Sequence, residues 1–326
     1  MEFKVIEYRQ LIQIVIMFLI VQFFGMFLAA IMFSGATYSQ IQSAIVLSSV
    51  YDIIYYVGII VIMSIILLLL FKFFNLSLLF RVYEGVLIFI TSLIVFSIIF
   101  TLIIPNSSLY IYGNSIGISV IAAIGVALVF VFAKNKWAFM RNTAAIVASV
   151  GAGVLLGVSF SFIIAYIFMA VLAVYDFIAV FITKHMLSLA RIAEDNNLAF
   201  MVTVNEIEGV HENNFSKQTL KKIKSSYKKI KNRTIKNLFK KKFVPVAARV
   251  GLGTGDLAVP LMVAIAAYGT YMNFIMSFFV IFGAIAGLLA TMLILRKYKR
   301  ALPAIPPLFA GITIFIGLYM LIGKFL

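Results

Sequence analysis

Long apolar runs, parted by short polar stretches, occupy this chain from end to end. They fall near residues 11–33, 53–71, 85–104, 116–133, 143–158, 160–182, 247–271, 274–295 and 303–323. Most approach the roughly 20 residues that a helix needs to cross a bilayer, and they are too long and too weakly alternating for barrel strands. The fifth is short and is parted from the sixth only by Ser159 and its neighbours. One straight helix over 143–182 would be about 60 Å long, about twice the hydrocarbon thickness, so two helices are expected there. The predicted fold is an all-α polytopic membrane protein with nine transmembrane helices. The run 11–33 exceeds the apolar core of a signal peptide, typically 7–15 residues, and is read as a retained span.

The placement of lysine and arginine predicts the orientation, because cytoplasmic loops are enriched in both. Lys4 and Arg9 precede the first span, Lys72 and Arg81 follow the second, and Lys134, Lys136 and Arg141 follow the fourth. Lys184, Arg191 and a dense run from Lys217 to Lys242 follow the sixth; Arg296, Lys297, Lys299 and Arg300 follow the eighth. The alternate connections (34–52, 105–115, around 159, and 272–273) contain neither residue type. This register places the N-terminus in the cytoplasm and the C-terminus outside. Three parts follow: a six-helix part (1–183) and a three-helix part (247–326), joined by a cytoplasmic loop (184–246).

Composition agrees with lipid as the main solvent. The 326 residues are 64 % hydrophobic and 12 % charged, with a mean hydropathy of +1.13, against about 45–50 % apolar and 25 % charged in soluble domains. Soluble, disordered, secreted and collagen-like classes are excluded, and a multi-pass protein of the cell membrane is expected. Without cysteine, disulfides, thiolate catalysis and cysteine-held metals are excluded as well. The net charge of +16 concentrates in the loop, where Leu220, Ile223, Tyr227 and Ile230 recur at helical spacing among lysines. A basic amphipathic helix on anionic inner-leaflet lipid and a solvated linker both fit that pattern. Nucleic acid is not an expected partner, since aromatics are sparse in this run and no binding module surrounds it.

Glu2, Glu7, Asp52 and Glu84 are read as solvated chain or helix ends, while Glu194, Asp195, Glu206, Glu208 and Glu212 lie in the loop. Asp176 and Asp256 instead fall inside the sixth and seventh spans, where an acid costs a few kcal/mol and is a functional candidate by default. Asp176 is expected about 9 Å, and Asp256 about 14 Å, from the cytoplasmic ends of their helices at 1.5 Å per residue. Antiparallel neighbours can therefore bring the two carboxylates face to face. Such a pair tends to share one proton, so one member can activate water while the other polarises a carbonyl, with neither metal nor covalent nucleophile. Gly251, Gly253 and Gly255 loosen the approach to Asp256, and Pro260 removes the hydrogen bond that its carbonyl would accept. His185 and His211 are read as a helix-end and a loop residue with no metal partner, and no cofactor is expected.

These residues resemble the presenilin and signal peptide peptidase family of intramembrane aspartyl proteases. Tyr175-Asp176 is similar to its YD motif, Gly253-Thr254-Gly255-Asp256 to its GxGD motif, and Pro303-Ala304-Ile305 to its PAL motif, with isoleucine for leucine. The stretch from Tyr175 to Met186 resembles archaeal members. The resemblance implies Asp176 and Asp256 as the catalytic pair, with Tyr175, Gly253, Thr254, Gly255, Pro303, Ala304 and Ile305 beside the substrate. It also implies that the substrates are transmembrane segments of other proteins, cut within the bilayer. Two other readings stay open: an ion channel or transporter using the paired acids, and a prepilin-peptidase-like enzyme. A homo-oligomer is compatible with the sequence.

Overall fold

The computed structural model describes residues 8–34, 76–104, 108–111, 114–134, 137–182, 201–211, 243–298 and 302–325, with positions 51, 55, 58 and 59. Almost all of the expected second span, with Asp52, His185 and the basic run from Lys217 to Lys242, lies outside the described residues. The helices are α1 (Tyr8–Ser34), α2 (Leu76–Ile103), α3 (Ile118–Ala133), α4 (Ala138–Ser159), α5 (Phe162–Phe177), α6 (Thr254–Tyr271), α7 (Phe274–Tyr298) and α8 (Ile305–Phe325). Among the described residues, six helical stretches are long and apolar enough to cross a membrane: Arg9–Ser34, Arg81–Ile103, Phe139–Ser159, Phe162–Ile182, Phe274–Leu295 and Ile305–Ile322. The chain is an integral, multi-pass membrane protein. The fifth expected span proves not to be short, because α4 begins at Ala138 and runs for 22 residues. Phe160 and Ser161, both extended, separate it from α5.

α6 is the axle of the assembly. From Leu257 to Ala267 every residue is buried, as expected of a helix that is apolar all round and enclosed by protein. Small residues on its neighbours let it approach closely. Leu261 lies against Gly25 of α1 and Gly153 of α4, and Ile265 lies against Gly157 of α4. A methyl group at position 153 would sit 2.7 Å from Leu261 Cδ2, and one at 157 would sit 2.6 Å from Ile265 Cβ. α7 and α8 meet almost backbone to backbone in the same manner, with Gly283 facing Gly311 and Gly287 facing Pro307 and Leu308. The first turn of α8 is thereby seated on α7.

The seventh span is where expectation and structure part. Residues 247–253, expected as helix, belong to a strand, β4 (Phe243–Gly253), paired antiparallel with β3 (Met201–His211) from Met201↔Gly253 to His211↔Phe243. The chemistry favours the strand: Pro245, Gly251 and Gly253 are poor helix interior residues, and Val244, Val246 and Val250 are β-branched. Asp256 consequently stands in the first turn of α6, not well along a helix. The Asn142 side chain of α4 docks this sheet: its amide donates to the Thr203 carbonyl at 2.8 Å and accepts from the Thr203 N–H at 3.1 Å. A second pair unforeseen in the sequence, β1 (Ser108–Ile111) with β2 (Asn114–Gly117), fills the connection between α2 and α3.

Glu84 also departs from expectation. It is buried, and Lys134 Nζ lies 2.8 Å from its carboxylate. The reason is length: α2 begins at Leu76 and not near 85, which draws Glu84 into the helix. Lys134, just beyond the C-terminal end of α3, supplies the counter-charge that a buried carboxylate requires.

Candidate active site

Asp176 lies in the last turn of α5, immediately before the chain widens into a π-helical turn at Ile178–Ile182. Such turns recur at functional sites because the extra residue changes which side chains face inward. The Asp176 side chain is buried, at 6 % exposure, so it needs a protein partner. That partner is the start of α8: the Ile305 N–H donates to Asp176 Oδ2 at 3.3 Å, and the Ala304 amide also acts on this carboxylate. The first N–H groups of a helix have no intrahelical acceptor. Pro306 and Pro307 have no N–H at all, so Ala304 and Ile305 are the orphan donors left at this helix start. Both serve Asp176.

Asp256 is held by the same device at another helix. Its Oδ2 accepts the N–H of Gly253, the N-cap of α6, at 3.2 Å. This is one arm of a capping box; glycine has no side chain to make the reciprocal bond. A Cβ at position 253 would lie 3.0 Å from that same oxygen, so the close approach favours glycine here. Asp256 is half-buried, and the carboxylates of Asp176 and Asp256 are close enough to act on each other electrostatically.

The other residues singled out in the sequence flank the two aspartates along the chain or stand at the start of α8, His211 excepted. Pro303 and Ala304 are buried and Ile305 is half-buried, all at the start of α8; Tyr175, beside Asp176, is half-buried. Thr254 is half-buried, whereas Gly255 is exposed, with no described residue where a side chain would stand. His211 lies at the far end of the β3–β4 pair, opposite Phe243 and ten residues from the Met201↔Gly253 end. Two residues not anticipated also reach this turn. Gln22 of α1 donates to the Leu257 carbonyl at 3.0 Å, and Ser149 of α4 lies 3.2 Å from the Thr254 carbonyl. Their signal was present as isolated polar residues within apolar runs.

Comparison with known proteins follows this geometry. A family model described as signal-peptide peptidase, presenilin aspartyl protease matches residues 15–323. Among solved structures, a presenilin family intramembrane aspartate protease in space group C222 aligns at 17 % identity with a TM-score of 0.56, covering 94 % of this chain and 95 % of that one. A presenilin family intramembrane aspartate protease in space group P2 aligns at 17 % identity and a TM-score of 0.57, with 93 % and 94 % covered. These likenesses concern the fold. No curated protein matches.

The contact between α8 and Asp176 runs through backbone, which yields a prediction. Ile305→Leu should leave activity within about twofold, because the N–H is retained. Ile305→Pro deletes one donor to a buried carboxylate, a loss of about 1.5–3 kcal/mol for a bond to a charged group, and should lower turnover at least tenfold. Turnover normalised to folded protein checks both.

Proposed function

The chain belongs to the signal-peptide peptidase and presenilin family of aspartyl proteases, and we propose that it hydrolyses peptide bonds within transmembrane helices of substrate proteins. The observation that carries this reading is the convergence of Asp176 and Asp256. Each is fixed by backbone N–H groups at a helix start, and the two carboxylates act on one another. The pair works as a unit holding one proton. The ionised member takes a proton from water as that water attacks the scissile carbonyl carbon, and the protonated member donates to the carbonyl oxygen. A tetrahedral diol forms. Its collapse breaks the C–N bond, and a carboxyl group delivers the proton that the leaving amine requires.

A helical peptide has its carbonyls engaged, so the substrate must unwind locally, and the sheet offers it a template. Because Thr203 N–H and C=O are turned to Asn142, its partner Gly251 turns its own N–H and C=O to the side of β4 away from β3, where no strand lies among the described residues. An extended substrate segment laid along that side gains main-chain hydrogen bonds two residues before the GxGD motif opens at Gly253. Gly255, exposed and with no described residue where its side chain would stand, leaves room for a substrate segment beside Asp256. Tyr175, Gly253, Thr254, Gly255 and Pro303-Ala304-Ile305 are assigned to the walls of this substrate channel.

The proposed topology has nine spans, with the N-terminus and the 184–246 loop cytoplasmic and the C-terminus outside. The absence of lysine and arginine from 34–52, 105–115 and 272–273 supports it. In the native cysteine-free chain, Ser225→Cys should react only with reagents that reach the cytoplasmic side. Labelling by an impermeant external reagent would reverse the assignment.

Asp176→Asn and Asp256→Asn test the activity directly, since asparagine keeps the volume and removes the ionisable group. Purified wild type should cleave a single-span model helix in detergent. Each variant should lose about 10⁴-fold in turnover, the scale for a member of a catalytic unit, while remaining folded. Cleavage surviving within tenfold in either variant contradicts the aspartyl mechanism.

A further inference from the structure

We infer that Gln22 and Ser149 are positioning residues for Asp256, acting through the backbone of the turn that carries it; the inference rests on the protease reading above. Gln22 lies on α1 and Ser149 on α4, with exposures of 0 % and 1 %. Their donors reach carbonyls on either side of Asp256: Gln22 Nε2 lies 3.0 Å from Leu257 O, and Ser149 Oγ lies 3.2 Å from Thr254 O. The Ser149 hydrogen is shared with its own helix, where Ala145 O lies at 2.8 Å.

This turn needs outside support. Pro260 leaves the Asp256 carbonyl without its intrahelical donor, and Gly253 and Gly255 stiffen nothing ahead of it. The buried body of α6 is fixed by packing, but a first turn in this state can shift locally unless neighbouring helices hold its carbonyls. Gln22 and Ser149 hold it from two sides, while the Gly253 N–H fixes the carboxylate itself.

The condition of Gln22 favours a role over mere packing. A carbonyl must be met by the amide nitrogen, and in that orientation Gln22 Oε1 has no hydrogen-bond partner among the described residues. A buried amide left half-satisfied is costly, and leucine or methionine would avoid that cost in a run as apolar as α1. What the glutamine supplies is the single directed bond to Leu257. Ser149 is placed likewise, in a helix that also presents Gly153 and Gly157 to α6.

The test compares variants that differ only in the donor. Ser149→Thr keeps the hydroxyl and Ser149→Val, of the same shape, deletes it; Gln22→Met removes the amide at similar length. Ser149→Val and Gln22→Met should lower kcat about tenfold with KM unchanged, as a small misplacement of a reacting group does, whereas Ser149→Thr should match wild type. Hydrogen exchange supplies a readout independent of cleavage: the Ala258 and Leu261 amides, which follow Thr254 and Leu257 by one helical turn, should exchange faster in the two donor-deleted variants alone. Equal kcat per folded molecule in Ser149→Val and Ser149→Thr, with unchanged exchange in Gln22→Met, overturns the inference. Wild-type protein that fails to cleave, run beside Asp256→Asn, counts against the protease reading; the exchange data then decide the positioning question alone.

Discussion

A carboxylate withdrawn from water must find hydrogen-bond donors in the protein, and helix starts are the places where the backbone has donors to spare. The architecture around Asp176 and Asp256 follows from that constraint. Asp256 takes the N–H of the residue that caps its own helix, and Asp176 takes the first N–H of α8, a helix distant in sequence. Two prolines strip the first turn of α8 of its other donors, so the conformation of Pro303-Ala304-Ile305 and the position of Asp176 are tied together. The positive dipole end of α6 stands at Asp256 and that of α8 at Asp176, where it opposes the negative end of α5.

Backbone donors hold a carboxylate only if the helices that bring them stay in register. Glycines provide this. Gly25, Gly153 and Gly157 let α1 and α4 close on Leu261 and Ile265 of the central helix, and Gly283, Gly287 and Gly311 let α8 rest on α7. In lipid no hydrophobic force drives helix against helix, so contact of this closeness is what fixes their relative positions. The site thus stands at the meeting point of a fully enclosed helix and two that touch backbone to backbone.

Much of this could be read in the sequence. Apolar length alone located the helices that the structure describes, and the cost of an intramembrane acid singled out Asp176 and Asp256. What escaped reading has physical causes. Val244 to Gly253 is an apolar run that periodicity cannot assign to helix or strand, and its partner strand lies more than thirty residues upstream, beyond any local signal. Glu84 reads as a solvated end because the apolar run begins only near residue 85, whereas the helix begins at Leu76; the pairing with Lys134 depends on how α2 and α3 pack. Gln22 and Ser149 are single polar residues in apolar helices, and sequence does not reveal whether such a residue bonds its own helix or another. The approach of Ile305 to Asp176 spans 129 residues and follows from α8 being seated on α7.

The central claim is that the two aspartates form one functional unit, and equilibrium binding tests it without depending on turnover. A peptide mimic of the tetrahedral intermediate, carrying a hydroxyl in place of the scissile carbonyl, would be titrated against wild type, Asp176→Asn, Asp256→Asn and the double variant. The account predicts tight binding to wild type, a similar loss in each single variant, and no further loss in the double. Losses that multiply in the double variant, or single variants that bind as wild type does, would contradict it.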